Sequence, residues 1–150
     1  MTLVVHLYKK YIKGTPKKSI VQMVEIHLCQ LTLAVIRGIG IDSNKVYLNT
    51  RVLKHMYDKR PAEEFDLMVT SLIEIIKYPD SIYKNKNNKR GSLCFVKKIR
   101  NNHCLVSLET IYDENTEATH NQVVTFFRTD ENYLSNFELL WEWKGGTPSS

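Results

Sequence analysis

At 150 residues with 43% hydrophobic side chains, the chain has the size of one domain and enough apolar surface to bury a core. No apolar run is long enough to span a bilayer, and Met1–His6 lacks the basic segment of a signal peptide, so a cytosolic protein without a membrane partner is expected. The net charge of +5 is segregated, with +8 over residues 1–60 and +7 over 77–100 against −4 over 61–76 and −6 over 101–150, which suits a polyanionic partner on a basic face; a solvated lysine-rich surface is the competing explanation.

From Ile20, apolar residues at Val21, Val24, Leu28, Leu31 and Val35 recur at three- and four-residue spacing, which predicts a helix with Ser19 as its N-cap and Gly38 and Gly40 as its stop. Residues 1–45 are accordingly expected as a helical cap or arm, 46–143 as the main domain and 144–150 as a disordered tail. Asp42-Ser43-Asn44 makes a polar turn, and Val46-Tyr47-Leu48 a short strand. Thr50 then caps a helix running to Lys59, on which Val52, Leu53 and Met56 form the apolar side and His55 and Lys59 share another. Pro61 ends it, and a further helix starts at Ala62 with Glu63 and Glu64 in its first turn and Phe65, Met68, Leu72, Ile75 and Ile76 facing inward.

After Pro79-Asp80 the period changes. Ile82-Tyr83 begins a strand, Lys86-Asn87-Asn88-Lys89-Arg90-Gly91 is a basic turn, and Ser92 to Ile99 is a second strand. Arg100 to His103 is expected to turn the chain, with Arg100 opposite His103 and Leu93, Phe95 and Ile99 set against Leu108, Val106 and Cys104. An acidic loop from Asp113 to Glu117 leads to a fourth strand, Gln122 to Phe127, which exits into Arg128 and Thr129. The segment Tyr133–Trp143 is a short helix or an edge strand packed on the body. Helices first and a hairpin-connected sheet afterwards predict an α+β fold with a roughly four-stranded antiparallel sheet.

Cys29, Cys94 and Cys104 form no even disulfide set and no paired metal knuckle, and are expected as buried thiols. His6, His27, His55, His103 and His120 show no ligand spacing, so no metal and no cofactor is expected. Cleaving RNA without a metal needs a base for the 2′-OH proton, an acid for the leaving oxygen and cations for the charged phosphorane. His55, with Lys54, Lys59 and Arg60 around it, offers one such set, and Arg128 with the Thr129 hydroxyl offers a second contact to phosphate. Lys86, Lys89 and Arg90 would bind the RNA backbone, as would Lys59 and Arg60. Each of these has an ordinary competing reading as a solvated surface residue, and His103 and His120 read as turn residues without a role.

The helix carrying Leu53-Lys54-His55, the helix ending in Ile75-Ile76-Lys77-Tyr78-Pro79-Asp80-Ser81-Ile82, the strand with Phe95-Val96-Lys97-Lys98 and the strand Val123-Val124-Thr125-Phe126-Phe127-Arg128-Thr129 together resemble the phage-associated branch of the barnase, EndoU, colicin and RelE-like nucleases, over about residues 46–143. The resemblance implies a four-stranded antiparallel sheet behind two helices. It also implies metal-independent cleavage of RNA, often transfer RNA or translating messenger RNA, to a cyclic phosphate. By position, Lys54-His55 matches the first active-site element, with His55 as acid/base, and Arg128 and Thr129 match the end of the last core strand. A toxin-like nuclease of this kind implies an inhibitor protein as partner. Two rival readings stand beside it: a non-catalytic RNA-binding module with the same sheet, stacking bases on Tyr83, Phe95 or Phe126 beside the basic turn, and an interaction protein whose N-terminal helices and tryptophan tail dock a partner chain. In the last, the stretch from Val24 to Ile36 serves as a dimer or inhibitor interface, although it reads equally as buried core.

Overall fold

A computed structural model of the chain describes residues 2–85 and 93–144. The expected basic turn with Lys86, Lys89 and Arg90, and the tail from Gly145, lie outside the described residues. Within them the chain runs α1 (Leu3–Tyr11), β1 (Glu25–Gln30), α2 (Leu33–Ile39), β2 (Lys45–Asn49), α3 (Thr50–Lys59), α4 (Ala62–Lys77), β3 (Ser81–Lys84), β4 (Leu93–Ile99), β5 (Asn102–Asp113), β6 (Ala118–Thr129) and β7 (Glu138–Glu142). The fold is α+β, as expected, but the sheet is larger than four strands and is mixed. Seven strands lie in the order β1-β2-β6-β5-β4-β3-β7, with β2 and β6 parallel and the other neighbours antiparallel.

The extra strands come from both ends of the chain. Residues 25–30, expected inside one long helix, instead form β1 and pair with β2. The spacing of Val24, Leu28, Leu31 and Val35 fits a helix, but Val24, Ile26 and Leu28 also alternate, and a short apolar segment does not distinguish the two periods. The edge of β2 decides between them, because it satisfies the backbone groups of β1. What remains of the expected helix is α2, capped by the Thr32 hydroxyl and closed by Gly40 in the left-handed region at φ 68°. At the other end, β7 pairs with β3, so the second alternative for Tyr133–Trp143, an edge strand, is the one found.

Helices α3 and α4 cover one face of the sheet, where Phe65, Leu72, Ile76, Phe95, Val106 and Phe126 are fully or almost fully buried. Asn49, rather than Thr50, caps α3 by accepting from Val52 N at 2.9 Å. Thr50 is used differently: its Oγ1 donates to Gln22 O at 2.6 Å and accepts from Val24 N at 2.9 Å, clamping the chain that leads into β1. Strand β2 pairs with β6 only at Asn121 and Gln122, where buried Asn121 donates to the carbonyls of Ser43 and Lys45. Beyond that point α3 takes over the exposed edge of β6. The Thr125 hydroxyl donates to Met56 Sδ at 3.3 Å, and Arg60 Nε donates to Phe126 O at 3.3 Å.

The face away from α3 and α4 carries a smaller cluster of Cys94, Val96 and Leu105, covered in part by Leu134 from the segment 130–137. Next to this cover the face opens to solvent.

Candidate active site on the open sheet face

The β4–β5 hairpin turns on two residues, Arg100 and Asn101, both at positive φ (50° and 66°), which is the backbone of a two-residue hairpin turn. The turn therefore has two residues, as an Arg100–His103 pair would also give, but sits one residue earlier in the chain. The partner of His103 is Lys98, two residues before Arg100, while Phe95 meets Val106 and Leu93 meets Leu108 as expected. A shift of two preserves which side chains share a face. It nevertheless moves His103 out of the turn and into a strand. On the next strand Thr129 is the register partner of His103. Directly opposed residues share a face with Cβ atoms about 5 Å apart, so Lys98, His103 and Thr129 form a row across three strands.

This row borders a cleft of about 590 Å³ on the open face, lined by Ser81 and Tyr83 of β3, Val96 and Lys98 of β4, His103, and Glu131, Leu134 and Ser135 from the segment after β6. Tyr133, in the same segment, meets the Phe127 ring edge-on at 5.3 Å and the Phe137 ring at 5.3 Å. Burial pushes the Tyr133 hydroxyl above its ordinary range and the Cys94 thiol adds to this, against the opposing effect of Arg60. Burial also pushes the Cys94 thiol up to about 11. Cys94 and Cys104 are buried as expected; Cys29 is half-buried and its thiol is likewise pushed up by burial, to about 11, against the Lys77 charge. These thiols are poor nucleophiles near neutral pH.

Of the catalytic candidates singled out by sequence, Thr129 lies in this row and the others stand on other surfaces. Lys54 is only 5% exposed. Its Nζ donates to Asp58 Oδ1 and to Pro16 O, each at 2.7 Å, and lies 5.5 Å from the Tyr57 ring centre. His55 and Lys59 are exposed on the outer side of α3. At about 100° per residue, His55 stands roughly 140° around the helix from Arg60. Arg60 and Arg128 are brought together, at one carboxylate: Glu64 lies 3.7 Å from Arg60 Nε and 3.3 Å from Arg128 Nε. Arg60 also stacks over Phe127, with Cζ 5.0 Å from the ring centre. Arg128 and Thr129 are neighbours in one strand, so they point to opposite faces. Arg128 joins the helix side and Thr129 joins His103. Of the three aromatics expected to stack bases, Phe95 and Phe126 are fully buried in the core, while Tyr83 lines the open cleft.

His103 and Glu131 are the residues sequence reasoning passed over. The signal for His103 was the turn itself, since a two-residue loop at Arg100-Asn101 puts it in the strand.

An α+β fold with a seven-stranded sheet, two helices on one face and an imidazole, an ammonium and a carboxylate around a cleft on the other is an arrangement suited to acid–base chemistry on a polyanion. A family model described as phage-Barnase-EndoU-ColicinE5/D-RelE like nuclease3 matches residues 30–136, more than two thirds of the chain, and the chain belongs to this family of nucleases. Searches of curated proteins and of solved structures gave no match. Among the described residues no helix is long and apolar enough to cross a membrane.

Proposed function

We propose that the protein is a metal-independent endoribonuclease whose reaction takes place in the open-face cleft. The observation that carries this reading is the row Lys98–His103–Thr129 at the border of a cleft that also presents Glu131. In the proposed step the Glu131 carboxylate takes the proton of the 2′-OH, and the 2′-oxygen attacks the adjacent phosphorus. The bond from phosphorus to the 5′-oxygen breaks, and His103 delivers a proton to that oxygen. The products are a 2′,3′-cyclic phosphate and a 5′-hydroxyl. Lys98 balances the charge on the phosphorane, and the Thr129 hydroxyl is a hydrogen-bonding neighbour of the phosphate. Lys54, Arg60 and Arg128 are already engaged by Asp58 or Glu64, which favours His103 over the rival placement of proton transfer at His55.

The test is cleavage of RNA in EDTA by the whole protein and its variants. His103→Ala is expected to lower the rate by about a hundredfold, at the low end for a general acid or base, and Lys98→Ala by about a hundredfold, as for the loss of one donor that stabilises developing charge, while His55→Ala leaves it within about twofold. Loss of activity in His55→Ala with full activity in His103→Ala would return the site to α3. Salt-sensitive RNA binding without any product would leave the non-catalytic module, with Tyr83 as its stacking residue.

A further inference from the structure

The chain has two tryptophans, and both line a second cleft. It lies on the other side of the sheet's end, between α2, the C-terminus of α4 and β7. Its volume is about 220 Å³, below the roughly 300–1,000 Å³ of pockets that enclose drug-sized ligands, so it suits a single planar ring system. Trp141 and Trp143 stand 6.3 Å apart with their planes 47° inclined, forming two aromatic walls, and Tyr78 and Val35 complete the apolar lining. Trp141 is seated against Gly38 of α2, where an added Cβ would run into the indole.

Charge at this cleft is unevenly committed. Lys97 Nζ donates to Tyr78 O at 2.8 Å and lies 3.6 Å from Asp80 Oδ1, so it is held inside the protein. Lys77 also lines the cleft, with Nζ 5.9 Å from the Tyr78 ring centre, and it makes no ion pair among the described residues. An aromatic slot beside an uncommitted ammonium is complementary to a planar ring attached to an anion. Asp80 connects the two sites: it lines this cleft and the His103 cleft, and its Oδ2 accepts from Lys98 N at 2.8 Å. A strand passing His103 therefore meets the tryptophan cleft by rounding the end of the sheet.

We infer that the Trp141–Trp143 cleft binds one nucleobase of the RNA strand, with Lys77 meeting the phosphate attached to it. This rests on the reading of the protein as a ribonuclease and adds a subsite to it. Stacking on indoles tolerates any base because every base has a π-face, so the cleft anchors the strand without selecting its sequence.

Because both tryptophans lie here, indole fluorescence of the intact protein reports on this cleft alone. Adenosine and uridine 5′-monophosphates are expected to quench it saturably, the corresponding nucleosides more weakly, and inorganic phosphate not at all. Trp143→Leu, followed through the remaining Trp141, should weaken mononucleotide binding at least about tenfold. Lys77→Ala should weaken mononucleotides but not nucleosides, and circular dichroism shows whether either variant has lost its fold. Both variants should raise KM for an oligoribonucleotide. Absence of saturable quenching by any mononucleotide at millimolar concentration, or quenching of equal affinity in Trp143→Leu, would overturn the inference. The two proposals fail separately: quenching that persists in an inactive His103→Ala protein supports both, His103-dependent cleavage without quenching sinks the base subsite, and quenching with cleavage indifferent to His103 sinks the catalytic assignment.

Discussion

Lys98 and His103 stand directly opposite each other on β4 and β5, because only Arg100 and Asn101 separate the paired ends of the two strands. Both turn residues lie at positive φ, a backbone that glycine enters without a Cβ penalty and that proline, fixed near −65°, cannot enter. Asn101→Gly should therefore leave stability unchanged or raise it by up to about 1 kcal/mol. Arg100→Pro should lose the turn, displace His103 from Lys98 and lower RNA cleavage together with the urea unfolding midpoint. Full activity in Arg100→Pro would show that the pairing is not needed.

The acid limit of stability is set in part by Asp58. Burial alone would raise its carboxyl, but the hydrogen bond from Lys54, the one from Lys18 N and the charges of Lys54 and Lys17 outweigh this and hold it below its ordinary value of 3.8. A depressed folded value means that the contribution is fully present above the unfolded value and disappears as pH falls through the folded one. Stability should thus decline below about pH 4, and Asp58→Asn should flatten that part of the profile. Removing the carboxylate also leaves the buried Lys54 ammonium without its anion, so Asp58→Ala should cost about 3 kcal/mol at neutral pH. An acid limb of the urea-denaturation profile unchanged in Asp58→Asn would rule this out.

Phe126 and Arg128 are two residues apart on β6 and should lose very different amounts of stability on truncation. Phe126 is fully buried against Phe65, with ring centres 6.1 Å apart, and Phe126→Ala should destabilise by about 3–5 kcal/mol. Arg128 has a side chain 40% exposed, and Glu64 keeps Arg60 when Arg128 is removed. Arg128→Ala should cost no more than about 1 kcal/mol. Chemical denaturation of the two variants side by side separates these outcomes.

Gly38 is a further point of control. A methyl group there has no room unless Trp141 moves, so Gly38→Ala should shift the tryptophan emission and destabilise by about 1–3 kcal/mol. Unchanged emission with unchanged stability would show that the indole is not held against α2.

Helices α3 and α4 were legible in the sequence almost to the residue, since Leu53 and Met56, and then Phe65, Met68, Leu72, Ile75 and Ile76, sit at helical spacing between breakers such as Pro61 and Pro79. The nuclease family was legible too, in short motifs on those helices and on β4 and β6, and the family model extends over residues 30–136. The strand β1 was not legible, because its six residues satisfy both periods and only the edge of β2 favours one. For the site, the sequence pointed to a basic, histidine-bearing surface at His55, which the fold leaves on the outer side of α3, whereas the cleft where we propose the reaction is bordered by His103.

By itself the sequence determined the elements whose apolar spacing spans several turns, the segregation of charge and the nuclease family, because these are properties of neighbours along the chain. Tertiary structure alone decided the rest. It buried Lys54 against Asp58, turned Arg128 and Thr129 to opposite faces and brought Lys98, His103 and Thr129 into one row. Those outcomes depend on strand register and on which face packs against the helices, and a one-residue difference reverses the side on which a side chain stands.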